Sequence, residues 1–214
     1  MGSDAVVTLD GAVVTDGIDD SVLICHKPAG VACSHLPADA PLLYDLVPPA
    51  WRHPDLQAAG RLDRDTTGLI VLTIDGALIQ RLTWPVRALW KRYRIRFVGE
   101  LLPAARGLVA SGLTLPDDPL PCLPARLLVP DDDEGGATGP EREAVLELCE
   151  GRHHQVKRMI RALGGRVTGL HRDRIGDLDL PSDLAPGAMR PATAAELARR
   201  PEARMPEGSP ERHP

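Results

Sequence analysis

Residues 60–73, which read GRLDRDTTGLIVLT, contain the strongest structural signal in the chain. A polar segment with two aspartates runs here into an apolar one. The apolar part, Gly68–Thr73, has the length of a strand and is followed by a turn-forming Asp-Gly pair, so we expect a buried strand. Asp63 and Asp65 then lie on a loop at the mouth of that strand, where functional side chains are common.

Three other segments have strand patterns. Tyr93–Phe97 alternates apolar and basic residues, which predicts a half-buried strand with Tyr93, Ile95 and Phe97 on one face. Val22–Cys25 and Ala144–Cys149 are apolar runs of strand length. Their two cysteines are expected to be buried, and no disulfide framework is expected in a cytosolic chain of this size.

Helices are expected at three places. The clearest is marked by Val156, Met159, Ile160 and Leu163, which form one apolar stripe before a Gly-Gly stop at 164–165. Shorter helices are expected over Ala77–Leu82 and Leu101–Ser111, and residues 114–142, rich in Pro, Asp and Gly, should be mostly loop. Strands and helices do not alternate regularly, so the chain is expected to be α+β with a largely antiparallel sheet.

Composition sets further bounds. The chain has 214 residues, of which 43% are hydrophobic and 26% charged, as is ordinary for a soluble globular protein with one domain, or one domain of two lobes. It contains no apolar run of about 18 residues, and its N-terminus lacks a basic start followed by an apolar block. Neither a membrane span nor a secretory signal is therefore expected, and the default compartment is the cytoplasm.

The net charge is −5, yet the basic residues are unevenly placed. Residues 151–176 contain seven Arg or Lys and one acid, and residues 87–96 contain five and no acid. Such runs are often solvated faces. A local basic stripe on an acidic chain can also attract a polyanion, so nucleic acid remains a candidate partner.

Asp63 and Asp65 have two interpretations from spacing alone. A carboxylate at a strand mouth can serve as a nucleophile, a base or a metal ligand. Equally, Asp-Thr sequences form turns and caps, with the Asp65 side chain accepting hydrogen bonds from backbone amides near Thr67. The adjacent His153 and His154 lack the i, i+4 spacing of a helical metal-binding pair, so no metal site is expected there.

At residues 60–68 the chain resembles a known family. Gly60–Asp63, with Thr66 and Gly68, is similar to the central motif of the pseudouridine synthases of the RsuA and RluA superfamily. Further segments match the family's motifs in the same order, and they are Lys27-Pro28 with Gly30 and Ser34, Lys91-Arg92-Tyr93, Glu150–Met159, Leu170–Gly176, Leu184–Gly187 and Arg190-Pro191. The last three are typical of the RsuA branch. The resemblance covers roughly residues 22–196.

The resemblance implies a pseudouridine synthase fold, a mixed, mostly antiparallel sheet in two lobes flanking an RNA-binding catalytic cleft. It implies that Asp63 is the catalytic aspartate, which attacks the target uridine either at C6 of uracil or at C1′ of the ribose. Lys157 matches the basic partner of that aspartate. Without the resemblance, its position in the sequence favours a solvent-facing lysine. Tyr93 matches the tyrosine that stacks on the base and removes the C5 proton. Its position in the alternating strand is equally typical of an aromatic residue in the core. No metal and no cofactor are implied.

The resemblance also implies a set of RNA contacts. Arg61 matches an arginine that displaces the target base from its stack or holds its phosphate, the alternative being a surface ion pair. The other expected RNA contacts are Lys27, Arg152, His154, Arg158, Arg161 and Arg172. Contacts of this kind position the RNA rather than read its sequence.

The same resemblance sets the expected domains. Residues 21–196 form the catalytic domain, and residues 197–214 form a disordered tail. Residues 1–20 are a short segment in which Val7–Gly11 resembles a remnant of the last hairpin of the small RNA-binding S4 domain that the RsuA branch usually carries. Without a full S4 domain, RNA affinity is expected to come from the catalytic domain or from a partner.

The form of the motif around Lys157 favours 16S rRNA as the target, whereas a missing S4 domain is similar to a 23S-specific subgroup. The expected partner of the chain, a monomer, is therefore ribosomal RNA, 16S favoured over 23S, or a ribosomal-subunit assembly intermediate. Two other functions fit the residues: a non-catalytic ribosome-assembly factor with this fold, and a hydrolase that uses Asp63 and Asp65 with a metal. Isomerisation of RNA by the protein would exclude the assembly factor, and activity that is insensitive to chelators would exclude the metal-dependent hydrolase.

Overall fold

The computed structural model of the chain describes residues 7–9, 12–14, 22–83, 89–116, 118–130 and 140–198. Strands β1 (Val7–Leu9) and β2 (Ala12–Val14) form a separate antiparallel pair. The predicted hairpin remnant falls here, but Asp10 and Gly11 lie outside the described residues. Its relation to an S4 domain stays a prediction.

One large sheet organises the rest of the described chain. Its strands are β3 (Leu23–Lys27), β4 (Gln57–Ala58), β5 (Thr67–Thr73), β6 (Lys91–Gly99), β7 (Arg126–Leu128), β8 (Glu141–Leu148), β9 (Gly165–Ile175), β10 (Leu178–Asp179) and β11 (Met189–Pro191). They follow the order β11-β3-β5-β9-β6-β8-β7, with β4 beside β5 and β10 beside β9. Among these strands every pairing is antiparallel except that of β5 with β9. The predicted α+β fold with a largely antiparallel sheet is confirmed.

Four helices accompany the sheet in the described residues: α1 (Gly76–Thr83), α2 (Ala105–Ser111), α3 (Gln155–Ala162) and α4 (Ala194–Ala198). The carboxylate of Asp75 caps α1 by accepting the amide protons of Ala77 and Leu78. The apolar stripe of α3 is buried as predicted. None of these helices is both long and apolar enough to cross a membrane.

Several elements differ from those predicted from the sequence. Helix α2 begins later than Leu101, because the Leu102 amide donates instead to the carbonyl of Leu163 after α3. Strands β7 and the start of β8 interrupt the predicted loop 114–142, and β9 was not predicted at all. Leu197 is helical although it was assigned to the tail; from Arg199 onward that prediction lies outside the described residues.

The parallel contact of β5 with β9 fixes where the functional loop lies. Only Thr67 and Gly68 pair there, with His171 and Arg172. Gly68 has a φ of +112°, and a Cβ at this position would overlap the backbone of Arg172. Glycine is therefore required for the two strands to approach. The loop before Thr67 is consequently held at the junction between the β11-β3-β5 part of the sheet and the β9-β6-β8-β7 part.

Candidate active site

Asp63 is paired with a lysine at the sheet junction. Lys157, in the first turn of α3, places its Nζ 2.8 Å from Oδ2 of Asp63 and 2.6 Å from Oδ1 of Asp65. His154 Nε2 lies 3.5 Å from the other oxygen of Asp63. Burial opposes the charge of Lys157, but the two carboxylates outweigh it and raise the pKa of the ammonium. Lys157 is therefore held as a cation between the two carboxylates.

Lys27 holds the loop that carries Asp63. This lysine is completely buried, and its Nζ donates to the backbone carbonyls of Pro28, Arg64 and Thr66 at 3.0, 3.2 and 2.8 Å. Burial lowers its pKa, and the carbonyls satisfy its donors. The expectation that Lys27 contacts RNA is therefore corrected, since its ammonium points into the protein. Strand β3 extends two residues beyond the apolar run Val22–Cys25 and ends at Lys27.

A second network holds the start of α3. Gln155 donates to Glu150 at 2.5 Å and accepts the Arg152 amide proton at 2.9 Å. The Arg152 guanidinium binds Glu150 and two backbone carbonyls in residues 120–121. Arg158 contacts the carboxylate of Asp118 at 2.9 Å. Arg152 and Arg158 were predicted as RNA contacts, and the structure gives both of them intramolecular partners. Sequence reasoning missed Asp118, which stands within a Pro-rich loop.

Asp63, Tyr93 and Lys157 line one cavity of about 770 Å³. This volume falls within the usual range of small-ligand sites, about 300–1,000 Å³. The wall formed by the sheet, which we call the sheet wall, comprises Lys91, Tyr93, Leu148, Leu170 and Arg172. Tyr93 is 8% exposed, so it belongs both to the core and to the cavity surface. The structure thus brings together the three residues that were predicted to be catalytic.

The remaining predicted contacts divide by exposure. Arg61 and His154 line the cavity and are exposed, and Arg161 is exposed on α3. His154 adopts a left-handed conformation, φ 50°, at the start of α3, and its ring stacks on His153 with centroids 3.8 Å apart. Arg172 is 2% exposed, so it cannot lie against an RNA backbone on the surface. Any ligand group that it meets must enter the cavity.

Within the described ranges, no group of three or more His, Cys, Asp or Glu side chains is arranged to hold a metal ion. The cations that line the cavity with Asp63 include Lys157 on α3, and Lys91 and Arg172 on the sheet wall. Sequence reasoning placed Lys91 only within a motif and gave it no role. The arrangement suits a reaction in which a carboxylate acts on a substrate that is itself anionic or becomes so.

Comparison with known proteins agrees with this geometry. Residues 21–162 match the family model described as RNA pseudouridylate synthase. The chain is 40% identical over 194 residues to the ribosomal small subunit pseudouridine synthase A of Yersinia pestis, covering 90% of this chain and 77% of that protein. It is 38% identical over 194 residues to the protein of the same name from Escherichia coli K12, covering 90% and 79%.

A solved structure is also similar. A crystal structure of a pseudouridylate synthase superposes with a TM-score of 0.73 at 36% sequence identity, covering 84% of this chain and 73% of that one. This similarity, together with the mixed sheet and few helices described above, confirms the fold expected from the resemblance.

Proposed function

This chain belongs to the RNA pseudouridylate synthase family, and from that premise we propose that it isomerises one uridine of 16S rRNA, with Asp63 as the reacting carboxylate. The observation that carries the proposal is the ion pair of Asp63 with Lys157, 2.8 Å, inside the cavity that Tyr93 lines. Curated relatives named for the small ribosomal subunit support 16S rather than 23S rRNA as the substrate.

Uridine and pseudouridine are isomers, so the reaction adds no atoms to the nucleotide and removes none. The C1′–N1 bond of uridine breaks, and its electron pair stays with the uracil ring. The ring turns, C5 bonds to C1′, C5 loses its proton and N1 gains one. The carboxylate of Asp63 either bonds transiently to C1′ and leaves as C5 bonds there, or bonds to C6 and leaves afterwards, when C5 loses its proton. Covalent catalysis of this kind divides one difficult rearrangement into smaller steps.

Lys157 keeps Asp63 available for that step. A carboxylate attacks only when ionised, and a cation within hydrogen-bonding distance favours the ionised form. Asp65 shares the same ammonium at 2.6 Å, so Lys157 also offsets the repulsion between two carboxylates. The pKa of Asp65 is lowered: burial raises it, but the hydrogen bond and charge of Lys157 outweigh burial.

Tyr93 supplies the surface for the base. Its ring is fixed by β6 and by the core beneath it, so it can stack on an extruded uracil without first being ordered. Stacking on an aromatic ring contributes about 1–3 kcal/mol per base. The tyrosine is also the proposed acceptor of the C5 proton. The target uridine must leave the RNA stack to enter the cavity. We assign to Arg61, which is exposed and lines the cavity, the role of filling the gap left in the stack or of binding the phosphate of the uridine.

The remaining RNA contacts come from exposed cations near the cavity. His154 and Arg161 are solvent-accessible on or beside α3, and Arg152 and Arg158 retain partial exposure while bound to acidic partners. We place the protein in the cytoplasm, acting as a monomer on 16S rRNA or on a small-subunit assembly intermediate. Tyr93 and Lys157 complete the proposed catalytic set, which uses no metal and no cofactor.

The test is a map of pseudouridines in both large ribosomal RNAs. Carbodiimide mapping compares a strain of the source organism with a strain lacking the gene and a strain in which the gene is restored. We expect one 16S position to lose its pseudouridine on deletion and regain it on restoration. Loss of a 23S position would contradict the assigned target, and loss of none in either RNA would contradict the function itself.

The same question can be asked with purified components. The chain is incubated with 16S rRNA, 23S rRNA and small-subunit assembly intermediates, and pseudouridine is counted by mass spectrometry. We expect one modification per 16S molecule, on free RNA or on an intermediate, and none on 23S rRNA. A protein that binds these RNAs without modifying any would be an assembly factor rather than an enzyme.

A further inference from the structure

Lys27, Lys91 and Lys157 are the only lysines in the sequence, and every other basic residue apart from histidine is arginine. All three lie at the cavity or under its loop. Lys27 is satisfied by three carbonyls and Lys157 by two carboxylates. Lys91 has a single long hydrogen bond, 3.3 Å to the Leu89 carbonyl, and no carboxylate within ion-pair distance among the described residues.

Lys91 belongs to the sheet wall. It is the first residue of β6 and pairs with Leu148 of β8, and Tyr93 follows it on the same face. Arg172 of β9 lies directly across from Tyr93. Two cationic side chains therefore flank the aromatic ring on which we place the uracil.

Arg172 is the second unusual cation of this wall. It is 2% exposed, its Nε donates to the Leu69 carbonyl at 2.9 Å, and its Nη2 is buried without an acceptor in the described part of the chain. No carboxylate there forms an ion pair with it. A buried N–H without an acceptor destabilises the folded protein, because it has lost its hydrogen bond to water and gained none in return. An oxygen that entered beside this guanidinium would recover that loss.

We propose that Lys91 and Arg172 form an oxyanion site on the sheet wall, in which Lys91 donates to a carbonyl oxygen of the target uracil and Arg172 adds a second positive charge behind it. This inference rests on the proposed isomerase function. It assigns to the two residues a part in the reaction rather than in holding the RNA backbone.

The reaction generates the charge that such a site would bind. When the C1′–N1 bond breaks, the electron pair left on the ring is delocalised onto O2 and O4. If Asp63 adds to C6 instead, the charge appears on O4. Lys91 keeps its proton in either route, and the charge leaves the oxygens when C5 bonds to C1′ and N1 is protonated. Donors fixed where charge develops accelerate a reaction more than they strengthen substrate binding.

The surroundings of Lys91 make this site sensitive to pH. Burial, and after it the charge of Arg172, lower the pKa of Lys91 to about 8, while Cys149, which follows β8, acts in the opposite direction. The ammonium is therefore present below about pH 8 and lost above it. We expect kcat/KM to fall as pH rises through this value in the free enzyme.

The first experiment replaces Lys91 by Met and measures single-turnover isomerisation and RNA affinity separately. We expect the rate to fall about 10²-fold while the Kd for RNA changes less than about threefold. The matched control is Arg126→Met, which removes a cation from β7, outside the cavity, and should leave both values unchanged. Thermal unfolding of each variant checks that the fold is kept.

The second experiment uses Lys91→Arg, whose guanidinium stays protonated throughout the accessible range. We expect this variant to retain more activity than Lys91→Met and to lose the fall in kcat/KM above about pH 8. A folded Lys91→Met that isomerises as fast as wild type would overturn the inference while leaving the proposed function intact. A loss of affinity equal to the loss of rate would make Lys91 a phosphate contact and would also overturn it. A wild-type protein without isomerase activity would contradict both.

Discussion

The two faces of strands β6 and β9 use the same residue types in opposite ways. On the cavity face, Lys91 and Arg172 have no carboxylate partner within the described structure. On the other face, Arg92 and Arg94 both bind the carboxylate of Asp173, at 2.8 and 2.6 Å. A shift in strand register between Arg92 and Tyr93 gives β9 an extra residue at Asp173 and turns that carboxylate to the second face.

This difference distinguishes charges that are neutralised within the protein from charges that are available to a substrate. Asp173 is 8% exposed, so its charge is tolerated because two guanidinium groups neutralise it. Its pKa is lowered because the hydrogen bonds from Arg92 and Arg94 outweigh burial, which raises it. On the cavity face the positive charge has no counterion among the described residues, so it is available to the negative charge that develops on the oxygens of the uracil. Substitutions on the two faces should therefore alter different properties.

Among substitutions of the groups that pair with the acidic side chains, the largest effect is expected on the cavity side, from Lys157→Met. This change leaves Asp63 and Asp65 next to each other without the cation that they share, so the repulsion between the two carboxylates is no longer offset. We expect the single-turnover rate to fall about 10²- to 10³-fold, with little change in unfolding temperature. Lys157→Arg keeps the charge and should lose far less. Equal loss in both variants would indicate that an ammonium geometry, rather than a positive charge, is required.

A smaller effect, on stability alone, is expected from Asp173→Asn. The variant leaves Arg94 without its counterion and leaves Arg92 with Asp179 alone, 3.6 Å away, so we expect the free energy of unfolding at pH 7 to fall by about 2 kcal/mol. Because the pKa of Asp173 is lower in the folded state, its stabilisation is present above the unfolded-state value and is lost as pH falls through the folded-state value.

Denaturant unfolding of wild type and Asp173→Asn at pH 7 and near pH 3 measures this. The difference between the two proteins should be greatest at pH 7 and shrink in acid. The isomerisation rate of the folded variant should stay close to that of wild type. A loss of rate as large as that of Lys157→Met would mean that the two faces are not separable.

The smallest effect is expected away from both faces, from Arg126→Met on β7. Arg126 lies 3.9 Å from Glu147 on β8, and its side chain is 46% exposed. An ion pair this exposed contributes little, so we expect the free energy of unfolding to change by less than about 0.5 kcal/mol. The same denaturant titration measures it. A change comparable to that of Asp173→Asn would show that exposure does not distinguish these ion pairs.

The sequence predicted most clearly the elements with local patterns. The apolar run of β5 and the stripe of α3 lie where they were expected, and together they place Asp63 against Lys157. The alternation of β6 is also present, with Tyr93, Ile95 and Phe97 buried. The resemblance selected three residues that the structure brings into one cavity. Their chemical roles stay predictions.

Other features depend on partners distant in the sequence. Strand β9 was missed because it buries Arg172 and Asp173, whose burial is possible only through a carbonyl of β5 and two arginines of β6. The resemblance predicts Lys27 as an RNA contact. The carbonyls that bind its ammonium instead come partly from residues 64–66, on another loop. Local composition carries no signal for either arrangement.

The most direct test of the account is the single-turnover rate of Asp63→Asn on 16S rRNA, measured beside its RNA affinity. The side chain keeps its shape but loses the charged oxygen that would bond to the nucleotide. We predict that pseudouridine formation falls by about 10⁴-fold or more while RNA binding is retained. An Asp63→Asn protein that is folded and isomerises uridine within about tenfold of the wild-type rate would contradict the central claim, because a neutral amide cannot replace a reacting carboxylate.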